Sequence, residues 1–361
     1  MRARSRIPIA LLVAVLGAGL LPAGSGARPA PIGQDPIVPG EVYTGDFPDP
    51  AVLRIGTTYY AYATTSSGLN LPTLISKDLR TWRAAPVTTA TPAGDSLPRT
   101  ATWSAGKERS DGRFRATTWA PTVTRLGPGR FVLAYSTQVA GAPGKKMCVS
   151  LATSSRPTGP FVDTSTRPLI CPAQGAIDPQ VWVAPTGRPW IVWKLDHHPA
   201  GLFTTPMNAA GTALAGRRYF LTGIRQPWEG NIIENPAMIR YAGRFYLFYS
   251  ANSYASTRYA ISYLVCKTGH GPCKRPRKKP LIATDKYRAG PGGPMPFVDT
   301  AGRLRVAYHA WRAGAVGYPD TAECRGTALG CPQRRLFVAH LRPDRKGLLK
   351  VVTRRAVRTA R

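Results

Sequence analysis

Five stretches of this chain repeat one another, and their spacing constrains the fold more than any other feature. They read FPDPAVLRIGTTYYAYATT from Phe47, TWAPTVTRLGPGRFVLAYST from Thr118, AIDPQVWVAPTGRPWIVWKL from Ala176, IIENPAMIRYAGRFYLFYSA from Ile232 and PGGPMPFVDTAGRLRVAYHA from Pro291. Aligned on Pro50, Pro121, Pro179, Pro236 and Pro294, successive copies lie 71, 58, 57 and 58 residues apart, the mark of an array. Each has an apolar run, a turn containing glycine and a second alternating run, a pattern that reads as a β-hairpin. Enough chain follows each hairpin for two more strands. In the first copy these are expected at Leu71 to Ser76 and after Trp82, joined by SKDLRTW; in the fourth, at Tyr259 to Cys266 and Pro280 to Thr284. Helical periodicity is almost absent. The expected architecture is therefore all-β: a five-bladed β-propeller of four-stranded antiparallel blades around a central channel.

The rest of the chain is read around that array. Residues 1–27 have a basic start at Arg2, Arg4 and Arg6, an apolar run from Ile7 to Leu21 and a small-residue end at Ser25-Gly26-Ala27, the pattern of a secretory signal peptide. Residues 28–44, rich in Pro and Gly, read as an extended N-terminal arm, 45–341 as the propeller, and 342–361 as a basic segment completing or flanking the last blade. The expected location is secreted and extracellular.

Net charge narrows the partners. Removing residues 1–27 takes three arginines and no acid from a formal charge of +31, leaving +28. An exported chain does not routinely meet nucleic acid, so no specific nucleic-acid partner is expected. The charge fits electrostatic association with anionic wall polymers, or plain solubility. An even count of 6 cysteines in an exported chain argues for disulfides. Sequence-local pairing gives Cys148–Cys171, Cys266–Cys273 and Cys324–Cys331.

Chemistry enters through ring closure. The innermost strand of every blade lines the axis, so the residues ahead of the five prolines converge on one end of the channel. These are Asp49, Trp119 with Ala120, Asp178, Glu234 with Asn235, and Gly292 with Gly293. A single acid before proline is ordinarily a turn former. Three at equivalent positions are different, because converging carboxylates cost repulsion and desolvation unless they are used or neutralised. One acid to protonate a leaving oxygen and one base to activate water is the requirement for cleaving a glycosidic bond.

FPDPAV at Asp49, WAP at Trp119, AIDPQV at Asp178, IENP at Glu234 and YHAW at Tyr308 to Trp311 resemble the motifs of glycoside hydrolase family 43, in that order and across roughly Gly45 to Leu341. The resemblance implies a five-bladed propeller enzyme acting on arabinan, arabinoxylan, xylan or wall arabinogalactan. By matching motifs, Asp49 is the expected general base, Asp178 the residue that raises the acid's pKa, and Glu234 the general acid of an inverting hydrolase releasing α-L-arabinofuranosyl or β-D-xylosyl termini. Inversion implies a separation of ~6.5 to 9.5 Å between Asp49 and Glu234. Trp119 resembles an aromatic wall of the sugar subsite, and Trp103, in the insertion between the first two copies, is a candidate subsite lip. Asn235 stands where the family usually has Gly or Ala and is expected to shape the subsite; Thr122 stands where an acid is frequent. His309 matches a histidine that helps hold a channel ion through water. No cofactor is expected for the chemistry, and a structural Ca2+ in the channel is the tentative metal assignment. Alternatives kept open are endo-arabinanase or galactofuranosidase activity and a carbohydrate-binding propeller without turnover. The related fructan-hydrolysing propellers place asparagines around their nucleophile, which FPDPAV lacks.

Overall fold

A computed structural model describes residues 38–320 and 331–352. Five antiparallel sheets follow one another along the chain, and their innermost strands touch in sequence, the fifth closing back on the first. Blade one contains Ala51–Ile55, Thr58–Tyr62, Thr73–Ser76 and Arg83–Ala84. Blade two contains Thr118–Gly127, Arg130–Gln138 and Met147–Ser154, with Val162 and Ile170 bridging its outer edge in place of a regular fourth strand. Blade three contains Ala176–Val183, Pro189–Leu195, Gly201–Pro206 and Tyr219–Gly223. Blade four contains Ile233–Tyr241, Arg244–Ala251, Ala260–Cys266 and Cys273–Lys274. Blade five contains Arg288–Val298, Leu304–Arg312 and Arg335–Pro343.

Blade five is completed from outside the repeats. Glu41–Tyr43, within the stretch read as an arm, pairs antiparallel with Arg335–Pro343, which also pairs with Leu349–Val351. The buried Glu41 carboxylate is held by Arg312 and Arg335 at 3.2 and 3.0 Å, so three residues suffice to pin the start of the ring to its end. An ion pair this buried holds through geometry, and removing one partner alone is costly.

Period-two alternation explains how the blades stack. In Arg244–Ala251, Tyr246 and Phe248 face Leu304, Val306 and Tyr308 of blade five, whereas Leu247 and Tyr249 face Val192 and Leu202 of blade three. Both faces of a central strand are thus buried, which is why these strands read as near-continuous hydrophobic runs. Comparable apolar clusters fill the other interfaces. Truncating the fully buried Leu247 to Ala would cost about 2–5 kcal/mol.

The fourth strand of blade four differs from expectation. It is Cys273–Lys274, turned back by the Cys266–Cys273 disulfide, while Ile282 makes only an isolated bridge to Ile261. A covalent link between cross-strand partners fixes the hairpin locally and displaces the later apolar segment. The Cys148–Cys171 disulfide ties the third strand of blade two to the returning chain. Cys324 lies outside the described residues, as do the expected signal peptide and residues 353–361. Among the described residues no helix is long and apolar enough to cross a membrane.

Candidate active site

The residue ahead of each repeat proline has a left-handed backbone, with φ of 50° at Asp49, 42° at Ala120, 56° at Asp178, 49° at Asn235 and 62° at Gly293. L residues seldom adopt this region, and Asp and Asn accept it better than most. Its fivefold recurrence marks it as a demand of the fold. In blades two to five it accompanies a shift of strand register, a bulge that turns the chain at the axis. All five prolines line one axial cavity together with Asp49 and Asp178.

Each bulge is held by the preceding blade. Ala120 N–H donates to Thr64 Oγ1 at 2.9 Å, Asp178 N–H to Ser136 Oγ at 3.1 Å, Gly293 N–H to Ser250 Oγ at 2.9 Å and Asp49 N–H to His309 Nδ1 at 2.9 Å. These four acceptors occupy the same place on their second strands, opposite the residue two before the proline. In blade three that place belongs to Lys194, opposite Ile177. An ammonium has no lone pair to accept with. Asn235 N–H turns instead to Asp178 Oδ2, at 2.8 Å.

The three acids meet in this ring, with one correction to the alignment. Asp49 and Asp178 occupy the left-handed position itself, whereas its equivalent in blade four is Asn235, and Glu234 stands one residue earlier, opposite Ser250. Asp49 Oδ2 accepts from Thr64 Oγ1 at 2.6 Å, and Arg334 Nη1 lies 3.4 and 3.5 Å from its two oxygens. Glu234 Oε2 accepts from Lys194 Nζ at 3.0 Å and Oε1 from the Tyr259 hydroxyl at 2.7 Å. Asp49 and Glu234 thus each have a cation, while Asp178 is bonded to a backbone amide.

The electrostatics follow from that inventory. Burial, then the neighbouring Glu234 and Asp49 charges, push the Asp178 carboxyl up to about 8, against the opposing pull of Lys194 and the Asn235 N–H. A proton therefore stays in this pair of acids at neutral pH, and its titration belongs to the pair. Burial works against the Lys194 ammonium, but Glu234 and Asp178 outweigh it and hold its pKa above the ordinary value. Arg334 is likewise raised: burial opposes its charge, and Asp49 and Tyr318 outweigh the penalty. Tyr259 is raised by burial, then by Glu234 and Asp49, so it remains a phenol.

Tyr259 has one proton and faces Glu234 Oε1 and Asn235 Oδ1, both at 2.7 Å, with the Ser250 hydroxyl also bonded to its oxygen. Turning the Asn235 amide so that its NH2 donates to the phenol satisfies all three groups, a choice the hydrogen-bond network favours. Glycine in blade five makes this possible. A Cβ on Gly292 would lie 1.7 Å from the Tyr259 ring, and one on Gly293 would lie 2.8 Å from His309 Nδ1.

The other expected residues divide. Trp119 is 40 % exposed at the position equivalent to Glu234 in blade two, an open aromatic face. Asn235 faces Tyr259 through its side chain and Asp178 through its backbone. Trp103 donates to Ser165 Oγ at 3.1 Å, a tether to the blade-two edge. Thr122 donates to Pro179 O at 2.9 Å and joins neighbouring innermost strands, as Gln180 does with Met238.

His309 is fully buried, and burial followed by Arg334 depresses its pKa, so the ring is neutral. With Nδ1 accepting from Asp49 N–H, Nε2 carries the proton and is a donor without a partner among the described residues. That tautomer suits a water or another oxygen and does not suit direct ligation of a cation. Among the described residues no group of three or more His, Cys, Asp or Glu side chains is arranged to hold a metal.

Sequence reasoning missed Lys194, Arg334, Tyr259 and Thr64. Lys194 alone carried a signal: the equivalent triplets are ATT at Ala63, YST at Tyr135, YSA at Tyr249 and YHA at Tyr308, and WKL at Trp193 is the copy with a cation where the others have an acceptor.

Neighbouring carboxylates beside an axial cavity are the arrangement that cleavage of a glycosidic bond requires. The family model described as glycosyl hydrolases family 43 matches residues 39–329, and the chain belongs to that family. It is 23% identical over 279 residues to a β-D-galactofuranosidase, xynD, of Aspergillus niger, covering 74% of this chain and 75% of that protein. A thermostable family-43 glycoside hydrolase superposes with a TM-score of 0.67 at 24% identity, over 91% of this chain and 97% of its own. An endo-1,4-β-xylanase of Bacteroides thetaiotaomicron superposes with a TM-score of 0.66 at 23% identity, over 87% and 96%. An exo-1,5-α-L-arabinanase from a bovine ruminal metagenomic library gives 0.63 at 18% identity, over 85% and 97%.

Proposed function

We propose that this family 43 glycoside hydrolase is a secreted, inverting enzyme that removes terminal α-L-arabinofuranosyl or β-D-xylosyl residues from polysaccharides or oligosaccharides. The observation that carries the reading is the unequal partnering of three acids: Asp49 and Glu234 each face a cation, and one proton stays with the Asp178–Glu234 pair. Asp49, held by Thr64 and Arg334, takes a proton from water as the water oxygen bonds to the anomeric carbon. Glu234 gives its proton to the leaving oxygen as the glycosidic C–O bond breaks, and ends as a carboxylate facing Lys194. Asp178 keeps that proton available by refusing a second negative charge nearby, and it orients Glu234 through the adjacent Asn235 amide. Trp119 offers the sugar a flat apolar wall. Secretion rests on the N-terminal pattern, and association with anionic wall polymers on the net charge, +31 for the whole chain and +28 without residues 1–27.

The likeness to a β-D-galactofuranosidase favours a second reading, release of galactofuranosyl ends, because a furanose ring is common to that sugar and arabinofuranose. A panel of 4-nitrophenyl α-L-arabinofuranoside, β-D-xyloside and β-D-galactofuranoside, with Glu234→Gln and Asp49→Asn as controls, separates the two. Hydrolysis of the first or second is expected, lost in both variants. Turnover of galactofuranoside alone selects the second reading, and activity unchanged in both variants contradicts either.

A further inference from the structure

Lys194 breaks a rule that the other four blades obey. Thr64, Ser136, Ser250 and His309 each accept the N–H of the next blade's left-handed residue, a structural duty that an ammonium cannot perform. Lys194 is nevertheless buried, 6% exposed, with Nζ 3.0 Å from Glu234 Oε2 and 3.8 Å from Asp196 Oδ1. The bulge it leaves unsupported is held by Asp178. A buried cation in a structural acceptor's place, with a catalytic carboxylate doing the acceptor's work, points to chemistry as its reason for being there.

We propose that Lys194 is a positioning residue for the reaction: its ammonium holds Glu234 Oε2, limits the Asp178–Glu234 pair to one proton, and thereby sets the alkaline limit of turnover. This rests on the reading of Glu234 as proton donor. The charges facing Lys194 are Glu234 from blade four and Asp178 and Asp196 from blade three; Asp49, which acts on Asp178, is itself countered by Arg334, and Tyr259 donates to Glu234. His197 and His198, beyond Asp196, are exposed, and the His198 ring bonds Asn231 O. When Glu234 releases its proton, the carboxylate that forms is the one Lys194 already pairs, so the ammonium favours the leaving of that proton.

The test compares wild type, Lys194→Met, Lys194→Arg and Asp196→Asn in pH profiles of kcat/KM on whichever aryl glycoside the wild type cleaves, with 4-nitrophenyl and 2,4-dinitrophenyl leaving groups. Without the cation the pair holds its proton more tightly, so Lys194→Met should move the alkaline limb up by about one unit. It should also slow the poorer leaving group by roughly tenfold or more, with little change for the better one. Lys194→Arg should restore the limb, and Asp196→Asn, which removes a negative charge, should move it down. A side-chain carboxyl 13C titration of the same proteins reads the protonation without turnover. A Lys194→Met protein with wild-type melting temperature and an unmoved limb and titration overturns the proposal. If Lys194→Met does not fold, an unmoved limb and titration in Asp196→Asn overturns it. A wild type inactive on every glycoside defeats the assigned function instead, and the carboxyl titration then decides the role of Lys194 alone.

Discussion

The Asp49 and Glu234 sides of the pocket are built alike and differ in the cation. Both carboxylates are mostly buried, with side-chain exposures of 13% and 15%, and each accepts from one hydroxyl, Thr64 or Tyr259. Asp49 is countered by Arg334, a guanidinium that does not deprotonate in proteins and here lies between the Tyr254 and Tyr318 rings at 4.8 and 5.5 Å. Glu234 is countered by Lys194, a point charge on a flexible stem that also has Asp196 within 3.8 Å. A general base must stay ionised throughout, and a fixed cation keeps it so. A general acid alternates between two protonation states, and a compact, movable cation tolerates both. Asp178, bonded to the Asn235 N–H, shares one proton with Glu234.

That contrast can be broken from either side. The largest effect is expected from Asp49→Asn, which removes the base for every leaving group: kcat should fall roughly a thousandfold on 4-nitrophenyl and 2,4-dinitrophenyl substrates alike. Glu234→Gln should lose roughly a hundredfold or more on the poorer leaving group and far less on the dinitrophenyl one, measured in parallel assays. Equal losses on both would mean that the two carboxylates do not have separate roles. Arg334→Met removes the cation beside Asp49, and the acid limb of the kcat/KM profile should move up by about one unit. Movement of the alkaline limb alone would show that the two sides are not electrostatically separate.

A stability measurement sharpens the role of Asp178. Its carboxyl is raised to about 8 in the folded protein, so the folded state binds a proton more tightly than the unfolded state. Stability contributed by that proton is therefore present below the ordinary carboxyl range and is lost as pH climbs towards 8. Asp178→Asn, which keeps an acceptor for the Asn235 amide, should melt a few degrees above wild type at pH 8, with the difference vanishing near pH 4. Equal melting temperatures at both pH values would contradict the raised carboxyl. The smallest effect belongs to the wall: Trp119→Ala should raise KM severalfold with kcat nearly unchanged, read from saturation curves on the cleaved glycoside.

What could be read in advance followed from how local each signal is. The blades were legible because period-two alternation and the Gly turns recur in every copy, and Asp49, Asp178 and Glu234 because a proline stands one or two residues after each. Glu41–Tyr43 was not, since three residues carry no periodicity and their strand exists through pairing with Arg335–Pro343 and the ion pairs to Arg312 and Arg335, 271 and 294 residues from Glu41. Tyr259 and Arg334 reach the pocket from positions outside the repeated hairpins, Tyr259 over a blade-five backbone that only glycine leaves clear. Their partners are set by ring closure, which one copy of the motif does not encode. The one-residue offset of Glu234 from Asp49 and Asp178 became readable only through the backbone angles and strand register.

The proposed division of labour between a water-activating Asp49 and a proton-donating Glu234 makes one demand on the product. Water must attack from the face opposite the leaving group. Proton NMR of the anomeric region in the first minutes of hydrolysis, before mutarotation, reads this directly. The account predicts that the sugar first appears with the anomeric configuration opposite to that of the substrate; first appearance with the same configuration would contradict it.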